Sequence, residues 1–140
     1  MNSYKGGCSC KNIVISLFLD SELSQHIPRA CQCSYCKKIN AAYISFSNWK
    51  LEVRIKNSGH INKIRFSTRT ADFVSCKFCD ELIYVVSKIG NKNYSVVNIT
   101  AFKNIQFSDP IKTDFDSEVQ SERMIRRKLN WISNVCIEQV

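Results

Sequence analysis

Most cysteines of this 140-residue chain fall into three tight clusters, and this grouping constrains the fold more than any other feature of the sequence. Thiols at such short spacing are the usual ligands of structural zinc, which prefers four ligands in a tetrahedron. Clusters that share an ion must meet in space, however far apart they lie in sequence. The clusters comprise Cys8 and Cys10, then Cys31, Cys33 and Cys36, then Cys76 and Cys79.

The two pairs and the triplet predict two different metal sites. Two pairs supply four thiolates, which completes a closed structural zinc site. The triplet supplies three and leaves a fourth position open, as catalytic zinc sites do. A zinc ion bound by three thiolates carries a net negative charge and is a weak Lewis acid, so it suits an incoming thiol better than water. We therefore expect two zinc ions per chain, the second of them at an active site.

Three other readings of the cysteines remain open at this point. The thiols could form disulfides, or a single structural zinc could be present with an empty or redox-active triplet. A histidine could also complete the triplet, and His26 and His60 are the only two candidates. Cys136 lies outside the clusters, and we interpret it as a core side chain because free cysteine is often buried.

The composition predicts a reducing compartment and gives only weak information about partners. The first ten residues lack the layout of a secretory signal, and no apolar run is long enough to span a membrane, so we expect a cytoplasmic protein. The formal charge is +8, but it shrinks if seven cysteines bind zinc as thiolates. The remaining charge suits an anionic small molecule or weak nucleic-acid contact.

The hydrophobic pattern predicts one mainly β domain over residues 1–140. A buried strand is indicated at residues 12–20, and period-two alternation indicates two strands in residues 41–55 with a break near Ser47 and Asn48. Residues 57–60 have turn composition, residues 62–68 alternate again, and Gly90-Asn91 marks a hairpin turn.

The C-terminal stretch predicts one amphipathic helix over about residues 116–136. Ile125, Leu129, Ile132 and Cys136 recur at helical spacing and would face the core. Asp116 and Ser117 are candidate N-caps. The basic residues 123–128 would then occupy the solvated face, where they could also contact nucleic acid, although no known nucleic-acid-binding motif accompanies them.

Three quoted segments carry a resemblance to a known family. They are "GGCSCKN", then "CQCSYCKKINAA" twenty residues later, then "FVSCKFCDELIYVV". In this order and spacing they resemble the glutathione-dependent formaldehyde-activating enzymes, which share a domain with centromere protein V. Trp131 also stands where family members tend to have tryptophan. The resemblance spans nearly the whole chain.

The resemblance implies a fold, an activity and roles for the cysteines. It implies a zinc-pinned arrangement of antiparallel sheets, or β-tent, and addition of glutathione to formaldehyde to give S-hydroxymethylglutathione, a carbon–sulfur lyase activity. The first and third clusters would hold the structural zinc, and Cys31, Cys33 and Cys36 would hold the catalytic one. Lys37 and Lys38 could attract the carboxylates of the thiol. The alternative is a non-catalytic zinc module that binds a macromolecular partner; the oligomeric state stays open.

The sequence departs from the family pattern at several positions. Family members usually carry glycine where this chain has Lys11, Asp80 and Asn40, and many have histidine at the position of Gln32. Glycine at such places permits a left-handed backbone, which Asn and Asp tolerate better than Lys. We therefore expect the turns at residues 40 and 80 to be kept, and we expect Asn12 to take up the left-handed turn in place of Lys11. Metal binding should survive, whereas substrate identity could differ.

Overall fold

The computed structural model describes residues 1–65, 70–115 and 117–139, and it is mainly β, as predicted. Within the described residues two α-helices accompany the strands, α1 at Ser34–Lys38 and α2 at Gln120–Asn130. The strands are β1 Asn2–Gly7, β2 Ile13–Leu19, β3 Arg29–Cys31, β4 Tyr43–Ile44, β5 Lys50–Ile55, β6 Ile61–Ile64, β7 Asp72–Cys76, β8 Glu81–Ile89, β9 Lys92–Asn98, β10 Ile111–Thr113 and β11 Asn134–Gln139. None of the helices in the described ranges has the length and apolar character needed to cross a bilayer.

The strands form two sheets that are antiparallel for the most part. A four-stranded sheet has the order β1-β2-β5-β11, and a seven-stranded sheet has the order β10-β3-β4-β9-β8-β7-β6. The break predicted in residues 41–55 separates β4 from β5, and the Gly90 turn joins β8 to β9. Two pairings, β5 with β11 and β3 with β10, are parallel. Both parallel partners come from the last third of the chain, which returns to strands formed much earlier.

The core lies between the two sheets and follows the period-two pattern of the strands. Alternate residues of β2 are fully buried, and Leu51, Val53 and Ile55 of β5 face the same way. Burial of each such aliphatic side chain stabilises the fold by about 1.5–3 kcal/mol. A second, smaller cluster joins Cys36 and Tyr43 to Trp131, and it is this cluster that carries the candidate site.

The C-terminal helix is shorter than the sequence pattern predicted. α2 begins at Gln120 and ends at Asn130, not at residue 136, and its N-cap is Val119, whose backbone N–H donates to the Glu122 carboxylate at 3.2 Å. Ser117 is therefore not the cap, and Asp116 lies outside the described residues. Beyond the helix, Ile132 pairs with Ser95.

The prediction that Cys136 is a helical core residue is wrong. Cys136 lies in β11 and is exposed. Its neighbours Val135 and Ile137 pack against the core, so period two and not helical spacing governs this segment. The apparent helical stripe combined residues of a helix with residues of the following strand.

The faces of α2 are the reverse of those predicted. Ile125 and Leu129 are 60% and 67% exposed, whereas Arg123 and Arg127 are only 9% and 6% exposed. Arg127 finds polar partners in the seven-stranded sheet, where its Nη1 donates to Ser87 Oγ at 3.0 Å. A buried guanidinium needs such partners, and the sequence alone does not show where they lie. The basic face of the helix consequently turns toward the interior.

Candidate metal centres and the cavity beside them

The first and third cysteine clusters meet in one site, as predicted. All four Sγ atoms lie within 4.8 Å of one another. The Sγ of Cys10 is 3.6 Å from that of Cys8 and 3.5 Å from that of Cys76. Ligand sulfurs at the corners of a zinc tetrahedron lie about 3.8 Å apart, given a zinc–sulfur bond of about 2.3 Å. The donor set therefore fits a closed zinc site.

Two turns deliver these four thiols. Gly7, at φ 142°, precedes Cys8 at the end of β1, where a Cβ would collide with the carbonyl of Ile13. Lys11 and Asp80 follow their cysteine pairs with φ of 65° and 54°. Both residues thus have the left-handed backbone for which glycine is suited. Lys11 adopts this conformation itself, and Asn12 does not take it over as expected.

Backbone donors orient the sulfurs of the four-cysteine cluster. The N–H of Ile13 donates to Cys8 Sγ and the N–H of Cys10 donates to Cys79 Sγ, both at 3.2 Å. A backbone hydrogen bond from Asn12 is the main reason why the pKa of Cys10 is lowered to about 7. Hydrogen bonds to a thiolate favour the charged form that a metal requires.

The triplet forms a second cluster where β3 passes into α1. The Sγ atoms of Cys31, Cys33 and Cys36 lie within 4.8 Å of one another. Cys33 is the N-cap of α1, and its Sγ accepts from the N–H of Cys36 at 3.4 Å. Asn40, with φ of 59°, closes the turn after the helix. The three thiols are thus held together by local backbone geometry, as their spacing predicted.

Tyr43 is a fourth polar group at the triplet, and sequence reasoning did not single it out. Its Oη lies 3.0 Å from Cys36 Sγ, and both side chains are buried. The hydrogen bond with Cys31, together with burial, raises the pKa of Cys36, and burial raises that of Cys33. A bound cation would have to compensate the negative charge of these thiols before they could ionise.

Two of the alternatives, disulfides and a histidine ligand at the triplet, differ from the geometry found. None of the eight cysteines, all of which lie in the described ranges, forms a disulfide. His26 Nε2 pairs with Ser21 Oγ at 2.7 Å, and the His60 ring stacks on Phe78. Within the described part of the chain, neither histidine joins the triplet in a potential metal-binding group.

A cavity of about 140 Å³ opens beside the triplet. All three sulfur-bearing residues contribute to its wall, and aromatic side chains, including Phe115 and Trp131, form another part of it. The cavity wall also holds four arginines, namely Arg29, Arg123, Arg126 and Arg127. An open three-thiol cluster therefore faces a partly apolar and strongly cationic space.

Lys37 and Lys38 do not belong to this wall. Both are exposed in the last turn of α1, and the cavity is lined by arginines instead. The apolar residues of α2 predict that its arginines face solvent, and this prediction is wrong for Arg123 and Arg127. The spacing of Arg123 and Arg127, at i and i+4, places two cations on one face of the helix. This spacing was the one sequence signal for a cationic face.

The fold and site together define a class: a mainly β protein with a four-cysteine cluster and a neighbouring three-cysteine cluster, both able to hold a metal. Residues 3–118 match the family model described as glutathione-dependent formaldehyde-activating enzyme. The chain belongs to this family. The description of the family is that of an enzyme and relates it to glutathione and formaldehyde.

One solved structure adds support for the fold. It is the crystal structure of a Rhodobacter sphaeroides protein, similar with a TM-score of 0.56 at 21% sequence identity. The match covers 78% of this chain and 99% of that chain. At this identity the likeness shows the fold alone. Among curated proteins, none matches the sequence significantly.

Proposed function

We propose that this protein is a zinc-dependent enzyme that adds the sulfur of glutathione, or of a related thiol, to the carbon of a small aldehyde such as formaldehyde. The product is an S-hydroxymethyl thiol, and the activity is of the carbon–sulfur lyase class. The observation that carries the proposal is the three-thiol cluster of Cys31, Cys33 and Cys36, which faces a cavity and has room for an external ligand.

The donor set of the triplet accounts for the chemistry. Zinc bound there would supply a positive centre that keeps an incoming thiol deprotonated yet nucleophilic. The protein's own residues hold the three sulfurs in place, through the Cys36 N–H to Cys33 Sγ bond and the Tyr43 contact with Cys36. The apolar part of the wall, including Val85 and Val96, limits the water that can compete with the thiol.

The reaction needs neither an oxidant nor a reductant. A sulfur–carbon bond forms, the carbonyl π electrons move to oxygen, and that oxygen takes up the proton that the thiol has lost. The product contains all the atoms of the thiol and the aldehyde. The task of the protein is to position the two reactants and to offset the negative charge that develops on the aldehyde oxygen. Arg29 and Arg126, in the wall of the same cavity, provide positive charge for this purpose.

Two measurements test the proposal. Elemental analysis of anaerobically purified protein should give two zinc ions per chain, and Cys33→Ser should give one. Nuclear magnetic resonance with labelled formaldehyde should show faster formation of the thiol adduct with the wild-type protein than with Cys33→Ser. One zinc per wild-type chain, or equal rates for the two proteins, would refute it and leave a family member with only the structural site.

A non-catalytic zinc module remains the alternative, but its original support is weaker. The sequence features that favour this alternative are the basic C-terminal helix and the replacement of glycines that family members usually carry. Arg123 and Arg127 are buried against the cavity, and Lys11, Asn40 and Asp80 keep the left-handed backbone. Binding to nucleic acid with a steep salt dependence, together with no thiol adduct formation, would favour this alternative.

A further inference from the structure

β11 is an open edge of the four-stranded sheet. The strand pairs with β5 over six consecutive residues without a register shift, and it is the outermost strand on its side of the sheet. An edge strand presents a row of unpaired backbone N–H and C=O groups, which can pair with a strand of another chain. The family match ends at residue 118, and β11 lies beyond it, so a role for this edge does not follow from the match.

The other three sheet edges carry features that block such pairing. Within the described residues these edges are β1, β10 and β6. Edge strands are commonly protected by lysine, by proline or by being very short. β1 contains Lys5 and ends at Gly7, whose φ is 142°. β10 has only three residues, with Pro110 before it and Lys112 within it, and β6 has four residues, with Lys63 among them.

β11 has none of these protective features. Its sequence, NVCIEQ, contains neither lysine nor proline, and its six residues make it longer than β6 or β10. The side chains alternate as the pleat requires: Val135 and Ile137 pack on the core, whereas Asn134, Cys136 and Glu138 are exposed. β11 thus has the length and pattern of a strand with neighbours on both sides, although within the described residues it pairs only with β5.

The sequence of β11 is complementary to itself in one antiparallel register. When two copies of the strand are centred on Cys136, Val135 lies opposite Ile137 of the second copy, on the face that packs on the core. On the outer face Asn134 lies opposite Glu138, where the amide can donate to the carboxylate. The only charged residue of the strand then meets a neutral donor and not a like charge.

The neighbouring strand β5 adds charge complementarity to this register. Arg54 lies beside Glu138, with its Nη2 3.7 Å from the carboxylate, and Lys50 lies beside Asn134. In the paired strands each Glu138 has Arg54 on one side and, beyond the amide of Asn134, Lys50 of the second copy on the other. A register centred on Glu138 would instead place two carboxylates directly opposite each other, which is unfavourable.

We propose that β11 is a dimerisation strand. Two copies of this chain pair their β11 strands antiparallel about a two-fold axis at Cys136, which joins the two four-stranded sheets into one continuous sheet. Such an interface uses the same residues on both copies, as a symmetric dimer requires, and its backbone hydrogen bonds supply affinity. The dimer is independent of the proposed function, because β11 contributes no side chain to the wall of the cavity beside the triplet.

The first test uses the thiol of Cys136 as a reporter of the register. Residues directly opposite in an antiparallel pair have Cα atoms about 4.5–5.5 Å apart, which is within the range of a disulfide. Diamide, a diazene oxidant that takes up the two thiol hydrogens, should link zinc-loaded wild-type chains through Cys136, as peptide mass spectrometry will show. The matched control is Lys5→Cys combined with Cys136→Ser. It moves the exposed thiol to the β1 edge of the same sheet and should not give a linked dimer.

The second test changes the charges of the strand and measures the dimer dissociation constant of the full chain by sedimentation equilibrium. Asn134→Glu places like charges opposite each other twice in the dimer, and we expect association to weaken by about 10-fold. Adding Glu138→Asn exchanges the two groups and should restore the wild-type constant. Both positions are exposed, so the variants should keep the wild-type melting temperature.

The outcomes of the two tests decide the inference. A dimer that forms the Cys136 link, weakens with Asn134→Glu and recovers in the exchanged double variant supports it. A dimer that neither forms this link nor responds to Asn134→Glu uses another surface and overturns it. A wild-type chain that stays monomeric at about 1 mM, where even weak dimers form, leaves β11 free or available to a different partner, and this result also overturns the inference.

Discussion

The phenolic Oη of Tyr43 lies 3.0 Å from the Sγ of Cys36, and both of these buried side chains line the cavity. Burial raises the pKa of Tyr43, so its hydroxyl is a proton donor under ordinary conditions. A phenol that donates to a metal-bound thiolate would orient the ligand and offset its charge. Tyr43 is thus a positioning residue of the triplet.

We predict that Tyr43→Phe weakens metal binding at the triplet by about 10-fold, as loss of a partner that orients a metal ligand typically does. Competition with a chromophoric chelator should show one weakened site and one unchanged site. Tyr94→Phe, which removes a phenol from β9, is the control and should leave both sites unchanged. Equal weakening in the two variants would contradict the assigned role of Tyr43.

The two cysteine clusters should differ in their effect on folding. Cys76 is fully buried at the end of β7, and its site links the β1–β2 turn to the β7–β8 turn. Cys76→Ser should therefore cost several kcal/mol, since a structural zinc contributes its binding energy to folding. Cys33→Ser should cost less than Cys76→Ser, because β3 keeps its backbone pairing with β4 and β10 when the triplet loses its metal. Chemical denaturation with zinc present measures both; equal losses would make the triplet structural.

The left-handed backbone at Lys11 should store strain. At φ 65° a lysine pays about 1–2 kcal/mol, whereas Asp and Asn tolerate the conformation better. Lys11→Gly should stabilise the protein by about 0.5–1 kcal/mol, after the extra chain entropy of glycine is subtracted. Asp80→Gly should give a smaller gain. Urea unfolding of both variants tests the order; a lower midpoint for Lys11→Gly would contradict it.

Because the faces of α2 are reversed, a substitution at Leu129 should matter much less for stability than one at Arg127. Leu129→Gln should change stability by less than about 0.5 kcal/mol, because Leu129 is exposed. Arg127→Ala should lower the free energy of unfolding by about 2 kcal/mol. It removes the hydrogen bond that Arg127 donates to the buried Ser87 hydroxyl, and it removes the packing of Arg127 on Trp131. Thermal unfolding measures both, and a loss of several kcal/mol for Leu129→Gln would mean that the apolar face is covered after all.

His26 should make stability depend on pH. Its Nε2 pairs with Ser21 Oγ at 2.7 Å, its ring is nearly perpendicular to that of Trp49, and burial lowers its pKa below 6.5. The unfolded chain then takes up a proton at higher pH than the native chain does. The contribution is complete above the unfolded value of about 6.5 and is lost as pH falls through the lower native value.

We predict that the stability of the wild-type protein falls between pH 7.5 and pH 5.5 by more than that of His26→Gln. Urea unfolding at the two pH values measures the difference between the proteins, and comparison with the variant cancels contributions from other groups. Nuclear magnetic resonance titration of the His26 ring gives the native pKa directly. A ring pKa above 6.5 would reverse the sign and contradict the prediction.

The local features of the site could be predicted from the sequence because short-range chemistry fixes them. The spacing of Cys31, Cys33 and Cys36 places three thiols in one turn, and two close pairs supply the number of ligands that a tetrahedral ion needs. Period-two alternation likewise predicted the buried faces of the strands.

The tertiary structure decided which face of the last helix turns inward, and thereby the charge of the cavity. Ile125 and Leu129 formed the better apolar stripe, yet the hydroxyls of Ser87 and Thr70, distant in sequence, give Arg127 partners in the interior. Such partners come together only when the sheets pack. The sequence by itself determined the two cysteine clusters that could hold a metal and the β class. The arginines in the cavity wall and the strand that contains Cys136 depend instead on long-range contacts that no local pattern encodes.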